Sequence, residues 1–227
     1  MDFEADPLVG QIVRKETKET FGLIICALFH QPKPTHFANF YHQLIEQLQQ
    51  NLTEDERQSV YLYPIDYLHI TISILYSFKD AQHPLPDKCI EYWKERFEQL
   101  KQTSTNRSIV LTLESINLSK AAGYFLYKDS GNAMENLRQS IRDVCRPEQG
   151  QPDLTIPGII HTSFLRFVKK PQESSRLEEK FHRICREMLS KTKEISLEID
   201  EICLALESRA YMHIPCDKDH VLDTMKC

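Results

Sequence analysis

No stretch of this chain is apolar for long enough to cross a bilayer. Its longest apolar run, Phe21 to Phe29, is about half of the roughly 20 residues a spanning helix needs. The opening Met1-Asp2-Phe3-Glu4-Ala5-Asp6 lacks the basic start and apolar centre of a signal peptide. The closing Met225-Lys226-Cys227 is no prenylation box, because its cysteine comes last. No membrane attachment is expected, and the cytoplasm, with the nucleus as the alternative, is the expected location. Seven cysteines include no Cys-x-x-Cys pair. An odd number without paired spacing suits free, buried thiols in a reducing compartment. An excess of positive charge is also missing: 28 basic residues face 33 acidic ones, a formal charge of −5. Proteins that grip long nucleic acid neutralise phosphates with a basic stripe, so a long duplex is not the expected partner. A small nucleotide or short oligonucleotide stays compatible.

What is present suffices for a substantial core. At 227 residues, 41% of them hydrophobic, the chain can fold as one domain or two closely packed lobes. Residues 1–20 are polar and charged and predict an arm or a short, poorly packed helix. Phe21 to Phe29 reads as a strand buried on both faces. Phe37, Phe40, Tyr41, Leu44 and Leu48 recur at helical spacing, predicting an amphipathic helix to about residue 51. The acidic Glu54-Asp55-Glu56 reads as a turn, Val60 to Tyr63 follows, and Pro64 precedes the next strand. Asp87 can cap a helix carrying Ile90, Trp93, Phe97 and Leu100. Ile109 to Leu118 and Tyr124 to Lys128 predict two strands turning near Gly123. Met134, Leu137, Ile141 and Val144 mark a third helix; Leu177, Phe181, Ile184 and Met188 mark a fourth. Arg146 to Gly158 reads as a loop, Ser196 to Leu206 as one long last strand, and residues 211–227 as a tail. The order predicts an α+β protein in two halves.

Two histidines stand out. His69 lies in Leu68-His69-Ile70-Thr71-Ile72-Ser73-Ile74, and His161, 92 residues later, in Ile160-His161-Thr162-Ser163-Phe164-Leu165-Arg166. Side chains alternate across a strand, so positions i and i+2 project together. Each strand therefore offers an imidazole beside a hydroxyl, Thr71 in one and Ser163 in the other. With nine histidines and 27 Ser/Thr residues, about one His-x-Ser/Thr triplet arises by chance; two are found, both in strand-like runs. In the first, Ile70, Ile72 and Ile74 share one face, and burying them turns His69, Thr71 and Ser73 towards a cleft. In the second, Leu165 shares the face of His161 and Ser163, a less clean alternation. Two proton-transfer groups and two hydroxyl donors form an inventory suited to a phosphodiester.

These strands resemble the paired His-x-Ser/Thr motifs of the two-histidine (2H), or LigT-like, phosphoesterase superfamily. The resemblance spans about residues 21–206 and includes the element order, the motif spacing and Tyr63-Pro64 ahead of the first motif. Arg166 matches an arginine that several groups of the superfamily carry five residues after the second histidine. Strict pleating puts Arg166 opposite His161, so a bulge or strand end near Leu165 would be needed to bring it inward.

The resemblance implies a bilobal fold, with two antiparallel sheets around a central cleft and helices outside, in a single domain over residues 21–210. It implies cleavage or formation of phosphodiesters at nucleotide 2′ positions without metal or cofactor. His69 and His161 would be the acid–base pair, and Thr71 and Ser163 the donors to the phosphate oxygens. Arg166, Tyr63 and Tyr124 would contact substrate. A 2′,3′-cyclic phosphate or 2′-5′-linked oligonucleotide is the expected substrate, and a monomer the expected state. The alternative is a catalytically quiet module that binds a nucleotide or short RNA. Which histidine is acid and which base stays open.

Other candidates read more plainly. Tyr67, Tyr76 and Tyr127 could stack a base, but packing accounts for them. His213, Cys216 and His220 have a spacing loosely like that of zinc ligands but lack a fourth. His30, His36 and His42 are expected at the surface, and Lys169-Lys170 in a solvated turn. Substrate choice is expected in loops 77–88 and 146–158.

Overall fold

The computed structural model describes residues 1–16, 19–29, 31–79, 87–103, 108–147 and 153–227. The elements follow as α1 (Pro7–Val13), β1 (Gly22–Ala27), α2 (Thr35–Asn51), α3 (Glu54–Ser59), β2 (Val60–Leu62), β3 (Ile70–Tyr76) and α4 (Asp87–Thr103). Then come β4 (Ile109–Leu118), β5 (Ala122–Lys128), α5 (Ala133–Val144), β6 (Ile160–Phe167), α6 (Ser174–Lys191), β7 (Ser196–Ile199), β8 (Glu201–Glu207) and β9 (Val221–Lys226). The strands make two antiparallel sheets, β3-β1-β8-β9 and β2-β6-β5-β4-β7. The fold is α+β. No helix among the described residues is long and apolar enough to cross a membrane.

Each main helix buries the stripe its spacing predicts. Phe37, Phe40, Tyr41, Leu44 and Leu48 of α2 are all buried. Their rings reach the five-stranded sheet, Phe37 standing edge-on to Phe125 of β5 and Tyr41 edge-on to Phe164 of β6. Phe164 lies face to face with Phe125, ring centroids 4.5 Å apart, and stacks on Phe181 of α6. Helices α4 and α5 pack on each other and against the four-stranded sheet. The helices thus cover the outer faces, and the inner faces of the two sheets are left to meet.

Four stretches differ from expectation. The acidic turn at Glu54 is the first turn of α3, closed by a capping box in which Thr53 and Glu56 satisfy each other's backbone amides. The last long strand is two strands in different sheets, because the chain crosses between them at Asp200. The segments read as arm and tail are packed in: Val9 of α1 is buried, Phe3 stacks on Phe167 at 4.2 Å, and β9 pairs with β8.

The histidine strands are irregular where it matters. In β6, Ser163 pairs with Tyr124 while Leu165 pairs with Gly123, so Phe164 is one residue more than its partner strand supplies. Such a bulge turns two successive side chains the same way, and Phe164 and Leu165 are both buried. Leu165 therefore leaves the face of His161, contrary to the strict alternation, and Arg166 takes its place. The neighbour must be glycine here: a Cβ on Gly123 would stand 3.1 Å from the Leu165 Cβ and 3.4 Å from the Phe181 ring. In β3, register shifts beside Ile72 and Leu75 do the converse. Ser73 turns into the buried layer, its hydroxyl without a hydrogen bond among the described residues, and Ile74 takes the cleft side.

The ring stack around Phe164 holds the bulge against the helices. Phe164→Ala is expected to lower the unfolding free energy by about 3–5 kcal/mol, read as a fall in the urea midpoint.

Candidate active site

Strand β3 belongs to one sheet and β6 to the other, and their inner faces look across a cavity of about 260 Å³. His69, Thr71, His161, Ser163, Arg166 and Tyr63 all line it. Tyr124 does not: it stands edge-on to His161, ring centroids 5.8 Å apart, opposite Ser163 on β5. Strand β3 is tied beside the cavity to the segment that leads into β6, where Thr155 and Ile74 exchange backbone hydrogen bonds of 2.8 and 2.7 Å. Pro157, two residues on, joins the lining. The loops 77–88 and 146–158 reach the cavity through Ser77, Phe78, Lys79 and Pro157, while residues 80–86 and 148–152 lie outside the described residues.

His69 is fixed by its own chain. Its Nδ1 lies 3.0 Å from the Tyr67 carbonyl, which can only accept, so Nδ1 carries the proton and Nε2 keeps its lone pair. Burial pushes its pKa down to about 4, against the Tyr67 hydrogen bond, with the charges of Lys33, His161 and Arg166 adding to the fall. His161 is also lowered, first by burial and then by Arg166 and Arg138, with the Ile159 carbonyl opposing. Its Nδ1 is buried and has no hydrogen bond of ordinary geometry among the described residues. Arg138 is itself buried and donates to that carbonyl at 2.8 Å, holding the segment that leads into His161. Both imidazoles are therefore neutral at neutral pH in the free protein.

Arg166 enters through the bulge. Its Nε–H donates to the Tyr63 hydroxyl at 3.0 Å, and its guanidinium carbon lies 3.8 Å from the centre of the Tyr211 ring. Glu207 faces the same cavity at 4% exposure. Burial lifts its pKa to about 8, against the Met212 amide and the Arg166 charge, so it is a neutral acid at neutral pH. Gly22, its partner across β1 and β8, makes room for it: a Cβ there would sit 2.9 Å from Glu207 Oε2 and 3.0 Å from the Tyr76 carbonyl oxygen. Lys79 falls in the 77–88 loop expected to face substrate, whereas Glu207 and Tyr211 are cavity residues that motif reading missed. Only their place beside the histidine strands, which a linear pattern does not carry, could have found them.

The remaining histidine readings separate. His213 is buried among the rings of Tyr61, Tyr63 and Tyr67, centroids 4.5–5.3 Å away, and burial lowers its pKa to about 4. His220 bonds Asp217 and Ser208, and Cys216 is exposed. Among the described residues, no group of three or more His, Cys, Asp or Glu could hold a metal ion. His36 and His42 are exposed, and His30 lies outside the described residues.

Protonation has opposite consequences for Glu207 and His69. Glu207 has its folded pKa raised above the ordinary carboxylate value, so the stability tied to its neutral form is lost as pH rises from about 4.5 to about 8. Glu207→Gln, which keeps the neutral shape, is expected to gain on the wild type steadily across pH 5–8 in thermal unfolding. His69 has its pKa depressed, so its burial costs stability as pH falls from about 6.5 towards 4. The His69 ring resonance in an NMR titration is expected to stay at its neutral position down to pH 5.

No family model and no curated protein matches the sequence. Solved structures do. The chain is similar to E. coli LigT complexed with NADP+, at 12% identity and a TM-score of 0.53, over 92% of this chain and 98% of that one. It is similar to the same protein complexed with 3′-AMP, at 13% identity and a TM-score of 0.50, over 92% and 96%. The protein TT0787 of Thermus thermophilus shares 11% identity and a TM-score of 0.52, over 90% and 97%. At such identities the likeness is one of fold. Almost the whole chain has the LigT-like architecture of two antiparallel sheets.

Proposed function

We propose that the cleft hydrolyses a nucleotide phosphodiester without a metal, by acid–base catalysis between His69 and His161. The carrying observation is that two imidazoles from different sheets, each with a hydroxyl two residues on, line one cavity together with Arg166. The fold is shared with LigT, whose structures include complexes with 3′-AMP and NADP+. A nucleotide is therefore the fitting class of ligand, and a 2′,3′-cyclic phosphate or a 2′-5′ linkage the fitting bond.

The local chemistry favours one division of roles. His69 has its Nε2 lone pair free and is held neutral, which makes it the base that takes a proton from water. The water oxygen then bonds to phosphorus as the bond from phosphorus to a ribose oxygen breaks. His161 enters as the imidazolium and gives its proton to that departing oxygen. Arrival of an anionic phosphate favours that charged form, because an opposite charge at close range raises a histidine pKa. Thr71 and Ser163 donate hydrogen bonds to the nonbridging oxygens as negative charge grows there. Arg166 adds a charged donor of fixed geometry. After product leaves, His69 gives up its proton to solvent and His161 regains one.

His69→Ala and His161→Ala are each expected to lower turnover by about 10²-fold or more with unfolding curves close to wild type. The test is a panel of 2′,3′-cyclic mononucleotides, 2′-5′ oligoadenylate and oligo(U), each with and without EDTA. EDTA-resistant hydrolysis, bell-shaped in pH with its acidic limb below the ordinary histidine range, is the expected result. Near-normal turnover in both single variants, or loss of turnover in EDTA, would overturn the mechanism. Binding across the panel without turnover would favour the quiet module instead.

A further inference from the structure

Arg166 is held by two contacts and has donors to spare. Its Nε–H is spent on the Tyr63 hydroxyl, and one face of its guanidinium lies on the Tyr211 ring. Its two terminal nitrogens have no hydrogen bond or ion pair among the described residues, although the side chain lines the cavity. A long, flexible side chain keeps such a pose only if its supports are fixed. Tyr63 is fixed by the sheet, since its amide donates to the Phe164 carbonyl at 2.9 Å and its own carbonyl accepts from the Tyr41 hydroxyl.

Tyr211 is fixed differently. It sits in a short 3-10 turn after β8 with φ 59° and ψ 36°, and Met212 follows with φ 58°. Two successive left-handed residues that carry a Cβ are unfavourable and persist only where the surroundings enforce them. The enforcing contacts converge on Tyr211. Its hydroxyl donates to the Asp6 carboxylate, and that carboxylate also caps α1 by accepting the Leu8 amide at 2.9 Å. Phe78 meets its ring edge-on at 5.1 Å, and the Lys79 ammonium lies 5.8 Å from the centre of the ring. A ring face against a cation is attractive in its own right, so the tyrosine both locates and orients the guanidinium.

We propose that Tyr211 is the positioning residue for Arg166 and that Asp6 locks it, making the segment around α1 a working part of the cleft. The inference rests on the reading of Arg166 as the cation that meets the phosphate. It assigns work to two residues outside both motifs, one from each of the segments that the sequence suggests are peripheral.

The test uses the full chain in two independent readouts. In kinetics, Tyr211→Leu is expected to lower kcat by about ten- to a hundredfold, with KM moved far less. In the Arg166→Ala background the same change is expected to cost nothing further, because the residue acts only through Arg166. Tyr211→Phe and Asp6→Ala each remove the lock but keep the ring, so smaller losses are expected, and the double variant is expected to match either single one. In ¹⁵N NMR, the Arg166 Nε–H resonance is expected to be sharp in wild type and shifted or broadened in Tyr211→Leu. Losses that multiply between Arg166→Ala and Tyr211→Leu would mark a merely structural tyrosine and overturn the proposal, as would an unmoved Nε–H resonance. Should the wild type turn over nothing on the panel, the proposed reaction fails while the NMR comparison still decides whether Tyr211 places Arg166.

Discussion

A pleated strand shows one face only every second side chain, and the cleft side of β6 takes three polar groups from six residues, at positions 161, 163 and 166. That spacing is even and then odd, so no regular strand can deliver it. The extra residue at Phe164 resolves the conflict by facing two apolar side chains outward in succession. Everything around the bulge serves it. The Phe125 and Phe181 rings receive the outward pair, Gly123 leaves the room a side chain would take, and Tyr63 bonds the Phe164 carbonyl. The sheet thereby converts a packing irregularity into the placement of a cation.

Dehydration sets the electrostatics of the cleft. Burial keeps both imidazoles uncharged and holds Glu207 protonated, which leaves the cations Arg166 and Lys79 as the charges of its lining. An overall acidic chain therefore presents an inner surface that favours anions, although its composition suggests no such preference. The sign of the net charge describes the outside of this molecule and says little about the cavity.

Local patterning made much of the fold legible. The helical stripes at Phe37, Trp93, Leu137 and Phe181 identified elements that exist, because a 3.6-residue period is written in the sequence itself. The histidine strands were legible for the same reason, with period two. Position 165 carried a usable hint, since a leucine on a polar face signals that the alternation breaks there. Ser73 and Ile74 gave no such hint, because an alternating run reads the same whether or not a bulge interrupts it. The split of the last strand at Asp200 was illegible for another reason: both halves are apolar strands, and only the sheets they join tell them apart. Tyr211 and Asp6 lie 205 residues apart, and nothing in either neighbourhood announces the other.

The central pairing of the four-stranded sheet joins β1 to β8, whose Cys26 and Cys203, 177 positions apart in the chain, face each other. A ribosome must therefore make every element between the two strands before β1 gains its second neighbour. Until then, the antiparallel pair of β1 and β3 leaves one edge of β1 with unpaired backbone groups and apolar side chains, the kind of surface on which nascent chains stick to one another. Its safety during synthesis depends on speed or on shelter. The half of the cleft that carries His69 can be completed only after β8 has left the tunnel.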